Sequence, residues 1–225
     1  MAHTSLADEI LKRPDALSQL KYLETVLEEE QRRRKDFYEW VTPDIKAEFI
    51  NGEIIVHSPV RRARWKITDL LSRLVSIYVS IHQLGVVGTE KVMISLTRND
   101  YEPDLVFFRK DIADQFTEDQ TLFPAPDFAV EILSPKTATI DRGAKRQDYA
   151  AHGIREYWII DPVKKCIDQY ILPTGDHEYF PAKRHIYGEI IESYAIQGFN
   201  IPVESIFEEG ENILVLQTLT NQKDI

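Results

Sequence analysis

A second cysteine is missing from this 225-residue chain: Cys166 stands alone, so no disulfide can close within it. A single thiol fits a reducing compartment, and a cytoplasmic location is the expectation. Cys166 lies in the alternating run 165–172 and reads as a packed strand residue. Long apolar runs are missing too. None approaches the roughly 18 residues that a membrane span needs. The opening MAHTSLADEILKRPD lacks the apolar stretch of a secretory signal. Positive charge is in deficit, since 27 Lys and Arg face 37 Asp and Glu for a formal net charge of −10. That weighs against strong sequence-independent nucleic-acid binding, which needs clustered cations. Carboxylates gathered at a metal site nevertheless attract phosphate once the cation is bound. His57, His82 and His152 have no zinc spacing and no cysteine cluster beside them, so zinc is not expected. No G-x-S-x-G elbow surrounds Ser134, which excludes a serine-hydrolase nucleophile there.

What is present is ordinary globular material, 43% hydrophobic and 28% charged, enough for one core with an appended arm. Residues 14–41 carry Leu17, Leu20, Leu23, Val26 and Leu27 at helical spacing and predict one long helix. Its stretch 28–36, EEEQRRRKD, reads as a solvated face with acid–base pairs four apart, residues 32–35 being the alternative phosphate patch. An apolar stripe this far from the rest implies a packing partner, and a second copy of the chain is the simplest one. Asn51-Gly52 between two short alternating runs predicts a hairpin over 47–56. A helix is expected over 62–83, with Ile67, Leu70, Leu71, Leu74, Val75 and Tyr78 on one side and Gly85 and Gly88 punctuating its end. Strand-like runs follow at 91–96, 105–108, 128–133, 156–160 and 165–172. Weaker ones lie at 176–182, 189–195 and 212–217, and a short helix is expected at 141–152. Strands interleaved with helices and ending in hairpins indicate a mixed α/β sheet. The expected division is a helical arm over 1–42, a main domain over 43–210 and a C-terminal strand and tail over 211–225.

The chemistry concentrates in three residues. Pro103-Asp104 precedes the apolar run 105–108, and Glu131 sits inside the apolar segment FAVEIL. A carboxylate in a buried strand needs a partner, because an unpaired buried charge is very costly. Two carboxylates at adjacent strand ends repel unless a cation bridges them or a proton neutralises one. A hard ion such as Mg²⁺ takes oxygen ligands and suits the pair. Lys145, Tyr149 and His152 share one face of the short helix, and Asp141 lies four residues before Lys145. Packed beside the strand of Glu131, that helix brings Lys145 to the carboxylates. Glu48, in the hairpin, is either a site residue or a surface charge; Glu53 reads as solvated. Tyr157 and Trp158 read as core.

Four segments together resemble the Uma2 family of restriction-endonuclease-like proteins, abundant in cyanobacteria. They are AEFINGEIIVHSP at 47–59, EPDLVFF at 102–108, FAVEILSPKT at 128–137, and K(x3)Y(x3)G(x3)YWIIDP across 145–162, in the family's order and spacing. The resemblance implies a PD-(D/E)XK fold: a mixed β-sheet flanked by helices, here with a long N-terminal helix and C-terminal β-hairpins. It implies a divalent-metal-dependent endonuclease acting on DNA, with Asp104 and Glu131 holding Mg²⁺ or Mn²⁺ and Glu48 as an accessory acid. The superfamily lysine usually stands two residues after the second acid, where this chain has Leu133. The family's displaced lysine matches Lys145, with Lys136 as competitor. Family members often carry a histidine after the Ser-Pro; this chain has VRRARWK instead. Arg61, Arg62, Arg64 and Lys66, with Trp65 among them, are the nucleic-acid contact candidates, although a helix N-terminus is an unfavourable place for cations. The competing reading is a non-catalytic nuclease-like homodimer kept for binding or assembly. A small-molecule metal hydrolase has no signature here.

Overall fold

The structure, a computed structural model, describes residues 6–42, 44–59 and 61–221. The first five residues of the opening segment, the expected boundary residue Pro43 and residues 222–225 of the tail lie outside that description. The chain begins with α1 (Leu6–Leu11) and α2 (Ala16–Trp40), then β1 (Ala47–Ile50), β2 (Glu53–Val56) and α3 (Arg62–His82). Next come β3 (Gly85–Thr89), β4 (Met93–Ser95), β5 (Asp100–Tyr101), β6 (Leu105–Arg109), α4 (Lys110–Ala113), β7 (Leu122–Phe123) and β8 (Phe128–Ile132). A compound helix follows: α5 (Ala138–Ile140), a π-helical turn (Asp141–Lys145) and α6 (Arg146–Ala151). The remainder is β9 (Glu156–Asp161), β10 (Cys166–Ile171), β11 (Lys183–Ile186), β12 (Ile190–Glu192), β13 (Asn200–Pro202), a 3-10 turn (Val203–Ile206) and α7 (Glu209–Asn221). Among the described residues no helix is long and apolar enough to cross a membrane.

The central element is a six-stranded mixed sheet in the order β11-β10-β9-β8-β6-β3, in which only β8 and β9 run parallel. Each face is covered by its own core. On one side α3 and α7 lay Leu71, Leu74 and Val75 over Phe128, Val130 and Trp158. Each fully buried aliphatic side chain there contributes about 1.5–3 kcal/mol relative to exposure. On the other side Tyr101, Phe108, Tyr149, Tyr157 and Ile159 fill the space beneath a second, five-stranded sheet, ordered β2-β1-β5-β4-β7. The alternation of strand side chains explains this division: Trp158 and Ile160 face one core, Tyr157 and Ile159 the other. The hairpin forms as expected, with Asn51 at φ 51° and Gly52 at φ 84°, the left-handed pair that a type I′ turn requires. Phe37 of α2 packs against Phe49 of β1, which fastens the long helix to the smaller sheet.

Several elements differ from expectation. Residues 212–217 are helical, within α7, because their apolar residues are consecutive rather than alternating. Buried Asn212 ties that helix to the body through bonds to the carbonyls of Leu70 and Ser205. Residues 176–182 are irregular, with a bend at 177–178, and the strand falls at Lys183–Ile186 instead. Helix α3 ends at His82, with Gln83 left-handed; Gly85 and Gly88 are residues of β3 rather than punctuation. A Cβ at Gly85 would collide with the Phe108 carbonyl on the neighbouring strand, so close strand approach is its reason. The stretch 28–36 is not wholly solvated. Glu30 is buried and receives Arg98, while Arg34 reaches Asp100 and the turn before it.

A carboxylate cluster around Lys145 as the candidate active site

Strand register brings the two expected metal ligands together. Leu105 pairs with Val130 across the antiparallel β6 and β8, so one position further Asp104 stands opposite Glu131. Opposed Cβ atoms in such pairs are about 4.5–5.5 Å apart. The Asp104 backbone N–H donates to the Val130 carbonyl at 3.1 Å, and the Ile132 N–H donates to Asp104 Oδ2 at 2.8 Å. Both carboxylates are buried. The compound helix then delivers the lysine. Lys145 Nζ lies 2.7 Å from Glu131 Oε1, 2.7 Å from Glu48 Oε1 and 3.6 Å from Asp141 Oδ1. The Tyr149 hydroxyl donates to the same Glu131 oxygen at 3.1 Å.

Of the residues named from sequence, Glu48, Asp104, Glu131 and Lys145 meet in one cluster. The competitor Lys136 is exposed and donates to Ser58 Oγ. His152 turns away from the cluster to Thr97 and its own Asp148, and Ser134 bonds to Thr137 rather than to Glu131. In the basic stretch Arg61 and Arg62 are exposed and Lys66 is half-buried. Arg64 turns inward and grips Asp104, with Nη2 2.7 Å from each carboxylate oxygen. Two further participants went unread in the sequence. Lys46 Nζ sits 2.8 Å from Glu90 and 3.5 Å from Asp104 Oδ1, and His57 Nε2 lies 3.0 Å from Glu48 Oε2. The turn at 51–52 fixes a register in which residue 46 opposes residue 57, so this pairing was available to arithmetic.

Four carboxylates, Glu48, Asp104, Glu131 and Asp141, thus face Lys145, Arg64 and Lys46. The electrostatics record the surplus of negative charge. Burial pushes the Glu131 carboxyl up to about 8; Lys145 offsets only part of this, and Asp141, Asp104 and Glu48 push the same way. Burial also raises Asp141, whose two carboxylate oxygens accept no hydrogen bond among the described residues. At Glu48 burial opposes ionisation as well, but Lys145 and His57 outweigh it and hold the group down at about 2. Burial works against the Lys145 ammonium, yet Glu131, Glu48 and Asp141 keep it charged well above the usual lysine range. Such a cluster is relieved either by a proton or by a cation.

The residues fit a hard divalent ion by donor type, since every acid in the cluster offers oxygen and Mg²⁺ needs only one or two carboxylates beside its waters. Among the described residues no three His, Cys, Asp or Glu side chains form a ready metal cage. Asp104 and Glu131 could hold such an ion only in exchange for cations they already face, Arg64 with Lys46 on the first and Lys145 on the second.

Comparison with known proteins follows the same line. A family model described as "Uma2: Putative restriction endonuclease" matches residues 34–204. A crystal structure titled as a "putative nuclease belonging to DUF820" from Anabaena variabilis ATCC 29413 shares the fold. Its TM-score is 0.64 at 16% sequence identity, covering 77% of this chain and 96% of that one. The nuclease-like fold expected from the sequence is therefore the observed one. None of the curated proteins matches the chain.

Proposed function

The chain belongs to the Uma2 family, and from that premise we propose that it hydrolyses phosphodiester bonds in DNA with Mg²⁺ or Mn²⁺ held between Asp104 and Glu131. The observation that carries this reading is the cross-strand pairing of those two acids beside the Lys145 ammonium. When bound, the ion would supply a water of lowered pKa and screen the charge of the scissile phosphate. The protein's own contribution is placement. Lys145 holds Glu48 and Glu131 at 2.7 Å each, and Tyr149 fixes the same Glu131 oxygen. The ligand carboxylate is therefore oriented before any substrate arrives, which avoids reorganisation during reaction. Arg61, Arg62 and Lys66, at the start of α3, offer positive charge to a DNA backbone.

The test is cleavage of plasmid DNA with added Mg²⁺ or Mn²⁺. Asp104→Ala and Glu131→Ala should each lower the rate by about 100-fold or more, at or beyond the roughly 10–100-fold that loss of a group merely supporting a metal ligand costs. Cleavage by Asp104→Ala at the wild-type rate would overturn the assignment. A second reading, a nuclease-like domain used for binding, is favoured by one observation: Arg64 already occupies both oxygens of Asp104. Under either reading we propose a homodimer. The N-terminal half of α2 exposes Leu17, Leu20, Leu23 and Leu27 along one stripe, and a second copy is the partner that fits. Light scattering at micromolar concentration should return the mass of two chains, and Leu20→Glu with Leu27→Glu should return one. A single-chain mass for the wild type excludes the dimer.

A further inference from the structure

Asp104 is already holding a cation. The Arg64 guanidinium takes both its oxygens, with Nη2 2.7 Å from each and Nε 3.1 Å from Oδ2; Lys46 stands 3.5 Å from Oδ1. Helix formation supplies no reason for an arginine here. Position 64 is in the first turn of α3, where the helix dipole repels positive charge, and Arg61, Arg62 and Lys66 crowd the same turn. What holds Arg64 in place is the buried Asp104 carboxylate that it grips. The Arg64 side chain is 16% exposed, so it is not sealed within the core. It borders a cleft of about 270 Å³ lined by Asp44, Lys46, His57, Glu90 and Lys91. Asp44 on that cleft offers a displaced guanidinium a carboxylate, Glu90 being already paired with Lys46.

We infer that Arg64 is a displaceable counter-cation: it occupies the face of Asp104 that a divalent ion needs, and the ion binds only as Arg64 turns into the adjoining cleft. This rests on the metal reading above and adds a residue that sets how tightly the metal is held. The physical reason is direct competition. A carboxylate with both oxygens in a bidentate, charge-assisted pair has to give up that pair before it can ligate. Apparent metal affinity is then reduced by the fraction of molecules in which Arg64 is already turned away. Without metal, the same pair keeps a buried carboxylate from standing alone.

Calorimetric titration of the full chain with Mn²⁺ alone tests this, with thermal midpoints measured in parallel. Arg64→Gln should bind Mn²⁺ at least about tenfold more tightly than wild type. It should also melt lower without the ion and gain more from saturating Mn²⁺. Arg64→Lys, which keeps the charge but loses the fork, should fall between the two, and it serves as the informative variant if the glutamine form does not fold. Equal or weaker Mn²⁺ binding by Arg64→Gln and Arg64→Lys would overturn the role of Arg64 and leave the metal reading standing. No heat and no midpoint shift in any of the three proteins at millimolar Mn²⁺ would overturn both.

Discussion

Replacing Lys145 with alanine should cost about 3–5 kcal/mol of stability near neutral pH, the range found when one partner of a buried ion pair is removed. The ammonium is fully buried and stands between Glu48 and Glu131, with Asp141 behind them, so its removal leaves three acids without their shared cation. The loss should depend on pH in a defined direction. In the wild type, Lys145 helps hold the Glu48 carboxyl at about 2, below its unfolded value. A depressed carboxylate contributes stability that is present above the unfolded pKa and lost as pH falls through the folded one. Without Lys145 that contribution disappears, and Glu48, Glu131 and Asp141 favour their protonated forms. The Glu48 contribution is complete by about pH 5 and constant above it, whereas a carboxyl with a raised pKa loses stability as pH rises from the unfolded value through the folded one. The three raised acids of the variant therefore make the gap widest above pH 7 and narrowest near pH 5. Urea unfolding at pH 5, 7 and 8.5 reads this directly. A gap that is constant across the three would mean that the ammonium packs without neutralising the acids.

Arg34→Ala should be of comparable size, about 3–5 kcal/mol, although it lies outside the candidate site. The Arg34 guanidinium donates to both oxygens of Asp100, at 2.6 and 2.7 Å, and to the carbonyls of Leu96, Thr97 and Asn99. Asp100 is 0% exposed and, among the described residues, would keep only the Tyr38 hydroxyl as a side-chain donor. The loss therefore includes a buried charge without its counter-ion and the donor to the Leu96 and Thr97 carbonyls, the Asn99 carbonyl keeping the Leu96 N–H. It should also reach the chemistry. Arg34 fastens α2 to β5, and β5 pairs with β1, the strand that carries Glu48. Arg32, two positions away and exposed, is the control: its alanine variant should stay within about 0.5 kcal/mol of wild type. Matching denaturation midpoints for the two variants would refute the anchoring role of Arg34.

Arg34 also shows where sequence reading stops. In EEEQRRRKD three arginines look alike, and helical spacing supports an exposed face for all of them. Only the turn before β5, more than sixty residues later, distinguishes the last of the three from the other two. The core was far easier to read. The six positions expected on one side of α3, Ile67, Leu70, Leu71, Leu74, Val75 and Tyr78, are all buried, because burial of one helix face is written locally at a 3.6-residue period. The hairpin was equally plain, since two left-handed residues in a row have one common solution. The acids Asp104 and Glu131 stood out as charge against an apolar background. Lys145 was reachable by spacing, although its helix carries a π turn that no local pattern announced. Arg64 was picked out for its charge and assigned outward, to nucleic acid. Its inward partner, Asp104, lies forty positions along the chain, and only the packing of α3 against the end of β6 brings the two within hydrogen-bond reach.

The pairing of β6 with β8 ties geometry to chain length. Sliding one strand past the other by a single residue would send Asp104 or Glu131 to the opposite side of the sheet, into the aliphatic layer under α3. Insertions within either strand are thus barred as firmly as substitutions of the acids themselves. The connection between them, residues 110–127, begins with α4, turns through 117–121 and then carries β7, which pairs with β4 while Phe116 and Phe123 pack on Phe108. The exposed turn at 117–121 is where the polypeptide is freest to lengthen or shorten, so diversity in this excursion should gather there while the two strands that flank it stay fixed in size.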